Sequence, residues 1–207
     1  ASLNTGKGVL PQNTNDYWSF RANMKATPSQ SVAIGVTTAF SLRKIGLPYD
    51  GSSEFGITRN GLLGGELGVR VPPEEVLLYE LGLKARRFSA GATLENVVRP
   101  NLRHRLSVGA DIFNTDNIDH TPYGTQVIEG GKKISYRRHA TTLTLDYLAT
   151  LGYALSESVG AETSLGIQGM IRHQAYTMAY GYNFAGPGLS TVENAGTTDG
   201  DEDRISA

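Results

Sequence analysis

The chain has 207 residues, enough for one large domain or two small ones. Its 19 Lys and Arg against 20 Asp and Glu leave a formal charge of −1, which argues against a nucleic-acid partner. There is no Cys, so disulfides and thiolate metal sites are excluded, and no run of about 18 apolar residues exists to make a transmembrane helix.

A slightly polar mean hydropathy leaves a transmembrane barrel open, because alternating strands hide their apolar residues one position at a time. The chain opens Ala-Ser-Leu-Asn-Thr-Gly, with no initiator Met and no signal-peptide pattern, and the expectation is a processed product or an excerpt of something longer.

The first strand pair is expected over about 17–43. "YWSFRANMKAT" sets Trp18, Phe20, Ala22, Met24 and Ala26 against Ser19, Arg21, Asn23 and Lys25. After Pro28-Ser29-Gln30 comes a longer alternation. Val32, Ile34, Val36, Thr38, Phe40 and Leu42 lie on one side, with Ala33, Gly35, Thr37, Ala39 and Ser41 on the other. Period two over this length means strands, and the three-residue link has turn chemistry. A long loop over 45–83 follows. Within it "PPEEVLLYELG" reads as a short helix opened by Pro73 and ended by Gly82.

The second pair, about 86–114, places Phe88, Ala90, Ala92 and Leu94, then Leu106, Val108, Ala110 and Ile112, on one side. Arg103, Arg105, Ser107, Gly109 and Asp111 take the other, and Arg99-Pro100-Asn101 turns between the strands. After a long loop over 114–135 the third pair spans about 136–180. It carries Leu143, Leu145, Tyr147, Leu151 and Tyr153 on one face and Thr144, Asp146, Thr150 and Gly152 on the other. Across Ser156-Glu157-Ser158, Leu165, Ile167 and Ile171 oppose Glu162, Ser164, Gln168 and Arg172. Residues 181–207 read as a third long loop, rich in Gly, Asn, Asp and Thr.

Connections thus alternate short and long along one β-rich segment, 1–207. In an antiparallel meander this puts tight turns at one end and long loops at the other, the asymmetry of outer-membrane barrels. The fold class is all-β: an antiparallel meander of long alternating strands, a segment of a transmembrane β-barrel. The bulky face is expected against lipid and the small polar face along a wide lumen.

"RANMKATPSQSVAIGVTTAFS", "RFSAGATLENVVRPNLRHRLSVGADIFNTDN" and "TLDYLATLGYALSESVGAETSLGIQ", with "PPEEVLLYE" between the first two pairs, resemble consecutive barrel strands of SusC/RagA-type TonB-dependent outer-membrane receptors. The resemblance implies a barrel of about 22 strands around a plug. It also implies import of glycans, peptides or similar nutrients driven through TonB, and a SusD-type lipoprotein as partner. About six strands are visible here, with no plug and no TonB box. Open strand edges favour self-pairing, so the alternative is a receptor-derived fragment that assembles into an extracellular amyloid-like, cross-β fibre.

The lumen-facing polar set is Arg21, Lys25, Arg103, Arg105, Asp146, Glu162, Gln168 and Arg172. Tyr176, Tyr180, Tyr182 and Phe184 suit an aromatic belt where a strand leaves the bilayer. Their ligand-binding rival is a stacking platform for sugar rings. No metal site is expected, since His104, His120, His139 and His173 have no ligand spacing. "GLLGGELG" at 61–68 lacks the Lys-Ser/Thr of a phosphate loop. Basic "KKISYRRH" at 132–139 reads as a solvated strand end, with lipopolysaccharide phosphates or nucleic acid as the rival ligands. "DGDEDR", Asp199 to Arg204, reads as a disordered acidic loop without a calcium-loop pattern. With no nucleophile motif, no enzyme and no cofactor are expected.

Overall fold

The computed structural model describes residues 1–10, 12–48, 56, 72–126, 128–192 and 195–206. Its strands are β1 (Ser2–Lys7), β2 (Thr14–Ser29), β3 (Val32–Pro48), β4 (Glu80–Arg99), β5 (Leu102–Thr121), β6 (Lys132–Ala154), β7 (Gly160–Phe184) and β8 (Ala195–Ser206), with one short helix, α1 (Pro73–Val76), before β4. They form a single antiparallel sheet in which every strand pairs with its neighbour in sequence. Turns fall at Gln30-Ser31 and Pro100-Asn101, and register shifts sit beside them, between Ala26 and Ser29 and between Val97 and Arg99. The slack is therefore taken up at the turn, and the long pairings above it stay in phase.

The strands run longer than the alternation suggested. β2 has 16 residues and β7 has 25. Residues 45–48, 80–83, 114–121 and 132–135 are ladder, and the link between β5 and β6 shrinks to 122–131. The helix is corrected too: it stops at Val76, and Gly82 lies inside β4 opposite Gly46. The acidic tail is not a loop, because Asp199–Arg204 lies within β8, paired to β7. The glycine-rich stretch 61–68 lies outside the described residues.

Residues opposite one another in register share a face. One such row runs Met24, Val36, Ala92, Val108, Leu145, and the next Ala26, Ile34, Leu94, Leu106, Tyr147, Ile167. Together with the Phe20–Phe40–Phe88–Ile112 row they make an apolar band across six strands. Along β6 the band reaches from Leu143 to Tyr153, close to the about 9–11 residues that a tilted strand needs to cross the hydrocarbon layer.

Beyond the Phe row the faces exchange character. The band face becomes charged, with Lys44, Lys84, Asp116 and Arg137 in one row. The other face becomes apolar, with Ile45, Leu83, Tyr136 and Met178 in one row and Leu47, Leu81, Ile134 and Tyr180 nearby. The enclosed residues Val76, Tyr79 and Phe184 gather at this long-loop end. There Glu75 accepts hydrogen bonds from the Tyr79 hydroxyl at 3.1 Å and the Gln126 amide at 2.6 Å, tying α1 to the 122–131 loop.

Removing that acceptor exposes the cost of an unmade bond. Glu75→Ala is expected to lower the local opening free energy by about 1–3 kcal/mol, and Glu75→Gln by much less. Hydrogen exchange at the Gln126 amide is the readout, and equal protection in both variants contradicts the tie.

Candidate functional site

The face opposite the apolar band is flat at mid-height. The row Asn23, Thr37, Gly91, Gly109, Thr144 places two glycines side by side, so little rises from the sheet there. The expected polar residues all fall on this face. Arg21 and Arg172 end one cross-sheet row through Ala39, Ser89, Asp111 and Thr142. Asp111 is held by Arg87, whose Nε donates at 2.7 Å. Lys25, Asp146 and Gln168 share a second row with Gly35, Thr93 and Ser107 between them.

Nearer the tight turns Arg105 lies opposite Glu95. Arg103 reaches over β6 to Glu162, and its Nη2 donates to both carboxylate oxygens, at 3.2 and 3.0 Å. The crossing is possible because the residue beneath Glu162 on β6 is Gly152. Both side chains are 62% exposed, so this pair is worth no more than about 1 kcal/mol. Its effect is to set the charge pattern of a cavity of about 470 Å³ lined by Glu95, Arg103, Arg105, Leu148, Thr150 and Ser164.

The long-loop end of the same face is aromatic. Tyr136 and Tyr176 lie 6.0 Å apart, and Tyr180 and Tyr182 stack at 6.5 Å with planes 7° apart. The Arg138 guanidinium sits 5.5 Å from the Tyr176 ring centre and donates to Gln174 Oε1 at 2.8 Å. The Tyr176 hydroxyl donates to the same oxygen at 2.6 Å. Beside this cluster lies an apolar cavity of about 320 Å³, lined by Leu47, Leu81, Leu83, Ile134 and Tyr136 among others.

These positions revise two expectations. A belt against lipid must share the face of Leu143 and Leu145, yet Tyr176, Tyr180 and Tyr182 share the face of Gln168 and Arg172, an even number of residues away along β7. Phe184 is 3% exposed and set edge-on to His120 at 6.4 Å, so its ring offers no stacking surface. The aromatics that do border the band are Trp18 against Phe40 at 5.2 Å, and Tyr147 and Tyr153 towards the tight turns. Sequence reasoning missed the apolar patch around Leu47, Leu81 and Ile134. Its signal was a change of phase: the apolar positions move from even to odd numbers between Leu42 and Ile45.

The histidines are dispersed. His104 bonds the Tyr147 hydroxyl at 2.6 Å, His120 faces Glu80 at 3.4 Å, and His139 meets Asn114. Among the described residues no three His, Asp or Glu side chains converge as a metal site would require.

No protein-family model and no curated protein matches the sequence. Among solved structures, the RagAB peptide transporter superposes with a TM-score of 0.76 at 13% identity, over 94% of this chain and 25% of that one. The RagAB peptide importer matches in its closed-closed state (TM-score 0.71, 13% identity) and in its open-open state (0.72, 12%), with the same coverage. The chain thus spans about a quarter of the length of those transporters, 25%. The likeness shows the fold: an antiparallel meander that forms a segment of a barrel wall.

The Arg138–Tyr176 contact carries a measurable coupling. A double-mutant cycle of Arg138→Met and Tyr176→Leu is expected to give about 0.5–2 kcal/mol, from denaturation of single and double variants. Strict additivity contradicts the contact.

Proposed function

We propose that this chain is part of the wall of an outer-membrane transporter that takes up peptides, glycans or similar nutrients. The apolar band meets outer-membrane lipid. The face of Arg21, Lys25, Arg103, Arg105, Asp146, Glu162, Gln168 and Arg172 lines the conduit. The observation that carries this reading is an apolar band of bilayer height on one face of a sheet whose other face is small and polar.

The solved neighbours are named as a peptide transporter and a peptide importer, which supports a passage wide enough for oligomers. Tyr136, Tyr176, Tyr180, Tyr182 and Arg138 lie at the long-loop mouth, where ring faces and a guanidinium receive either peptide side chains or sugar rings. TonB coupling and a SusD-type lipoprotein over the long-loop end complete the proposal for the whole transporter. The described residues of this face offer charge and stacking along a surface, which suits passage of a solute.

A second reading, self-assembly into an extracellular fibre, is favoured by the open edges. β1 covers β2 only as far as Ser19, and β8 covers β7 only from His173 onward, leaving Phe20–Ser29 and Gly160–Arg172 without an outer neighbour among the described residues. Electron microscopy without and with detergent separates the two. Annular, detergent-dependent particles support the barrel wall. Detergent-resistant filaments with a repeat of about 4.7–4.8 Å support the fibre.

The face assignment has its own test. Ile34→Lys or Leu145→Lys is expected to cost roughly 2–4 kcal/mol near the bilayer midplane. Gly35→Lys costs far less, because the nearest atom to a new Cβ there is Thr93 Cβ at 3.9 Å and the site faces the conduit. Equal losses in bilayer-reconstituted protein contradict the assignment.

A further inference from the structure

The charged rows just beyond the apolar band have no part in the conduit, since they lie on the band's own face. Lys44 on β3 and Lys84 on β4 are directly opposite in register. Like charges so placed repel, and neither lysine has an ion-pair partner among the described residues. Arg86 and Arg137 flank them and share one carboxylate: Asp116 takes Arg86 Nη2 at 3.1 Å and Arg137 Nε at 3.6 Å. Those guanidinium side chains are 47% and 72% exposed, with most of their N–H groups unused. Asp16 lies opposite Lys44, and the same row continues from Arg137 through Thr177 to Glu202 on β8, so the carboxylates of the row sit at its ends and beside the arginines while Lys44 and Lys84 stay side by side at its centre.

The height of the patch matters as much as its sign. Lys44 is four residues beyond Phe40, roughly 13 Å along the strand and about 9 Å in height at the usual tilt of about 45°. The row between begins with Trp18 and Leu42 and turns polar at Arg86, Asn114 and His139. That places the ammonium and guanidinium groups at the headgroup layer, within reach of phosphates when long side chains lean toward the interface. The basic run at 132–139 is divided by the strand's alternation: Arg137 and His139 point to this patch, while Lys132, Tyr136 and Arg138 point to the other face.

We propose that Lys44, Lys84, Arg86 and Arg137 form a binding site for the phosphate groups of a lipid headgroup on the lipid-facing side of the sheet, at its long-loop end. A phosphorylated glycolipid fits best, because two phosphates on one headgroup would satisfy both the unpaired lysines and the outer N–H groups of the two arginines. This inference rests on the lipid-facing assignment of the apolar band.

The test uses the whole chain with neutral phosphatidylcholine vesicles, and with the same vesicles carrying bisphosphorylated lipid A. Flotation reports insertion, and native mass spectrometry of extracted protein reports retained lipid A. Lipid A is expected to be retained by the parent chain and weakened roughly fivefold for each lysine removed in Lys44→Gln and Lys84→Gln. Lys44→Arg restores binding, and Arg43→Gln, on the same strand but the opposite face, leaves it unchanged. Excess inorganic phosphate does not displace the lipid. Undiminished retention in Lys44→Gln/Lys84→Gln, an equal loss in Arg43→Gln, or displacement by inorganic phosphate overturns the headgroup site. Insertion into neutral vesicles without any preference for lipid A overturns this inference alone. Failure to insert at all overturns it together with the lipid-facing reading.

Discussion

The described residues form a single sheet with two faces and no second layer among them to bury either, and the other properties described follow from that. A globular monomer of 22.2 kDa exposes about 9,400 Å², whereas this chain exposes 13589 Å². The excess is not polar decoration. Leu143 and Leu145 are 49% and 47% exposed, and Leu165 reaches 77% on the strand whose outer edge is open. In water such a surface is strongly unfavourable. In a bilayer the apolar face is solvated by lipid, and backbone pairing along the sheet meets the requirement that no polar group be left unbonded in hydrocarbon. Only the open edges need further chain to complete them.

Register is what makes the band continuous. A slip of one residue on any strand would send its apolar positions to the polar face. The ladder instead holds phase from β2 to β7, with its irregularities at the tight turns. The exchange of character beyond the Phe row uses the same property in reverse. The strands continue unbroken while their chemistry changes phase, so the face of the apolar band becomes charged beyond the Phe row. The opposite face becomes apolar where α1 and the 122–131 loop are tied together by Glu75.

The part of each hairpin that carries the apolar band was legible in the sequence, because a bulky face and a small polar face give strict alternation in stretches such as Val32–Leu42 and Leu143–Tyr153. The outer extensions were not. Asn114–Thr121 is polar at nearly every position, and it is a strand because its backbone is paired on both sides, with side-chain partners across the ladder: Asp116 with Arg86, Asp119 with Lys132, His120 with Glu80. Such pairs become visible only once two strands are aligned. β8 has no apolar alternation at all, yet it pairs through its backbone, which needs no side-chain pattern. The helical look of Leu77–Leu81 yields to strand from Glu80 because β4 must continue the ladder opposite Pro48. For the candidate site, alternation put the eight charged and polar residues on the face opposite the apolar band, and their lining of a conduit is part of the proposal. The tyrosines were misjudged as a belt because composition alone does not report parity.

The most direct test of the central claim is a spin-label scan of β6 from Thr141 to Tyr153 in bilayer-reconstituted protein. The chain has no Cys, so each introduced cysteine is unique. The account predicts a period of two: odd positions such as Leu143 and Leu145 open to oxygen dissolved in lipid, even positions such as Thr144 and Asp146 open to a water-soluble nickel reagent. Alternation of the opposite phase, or protection of both sets as in a stacked fibre, would contradict it.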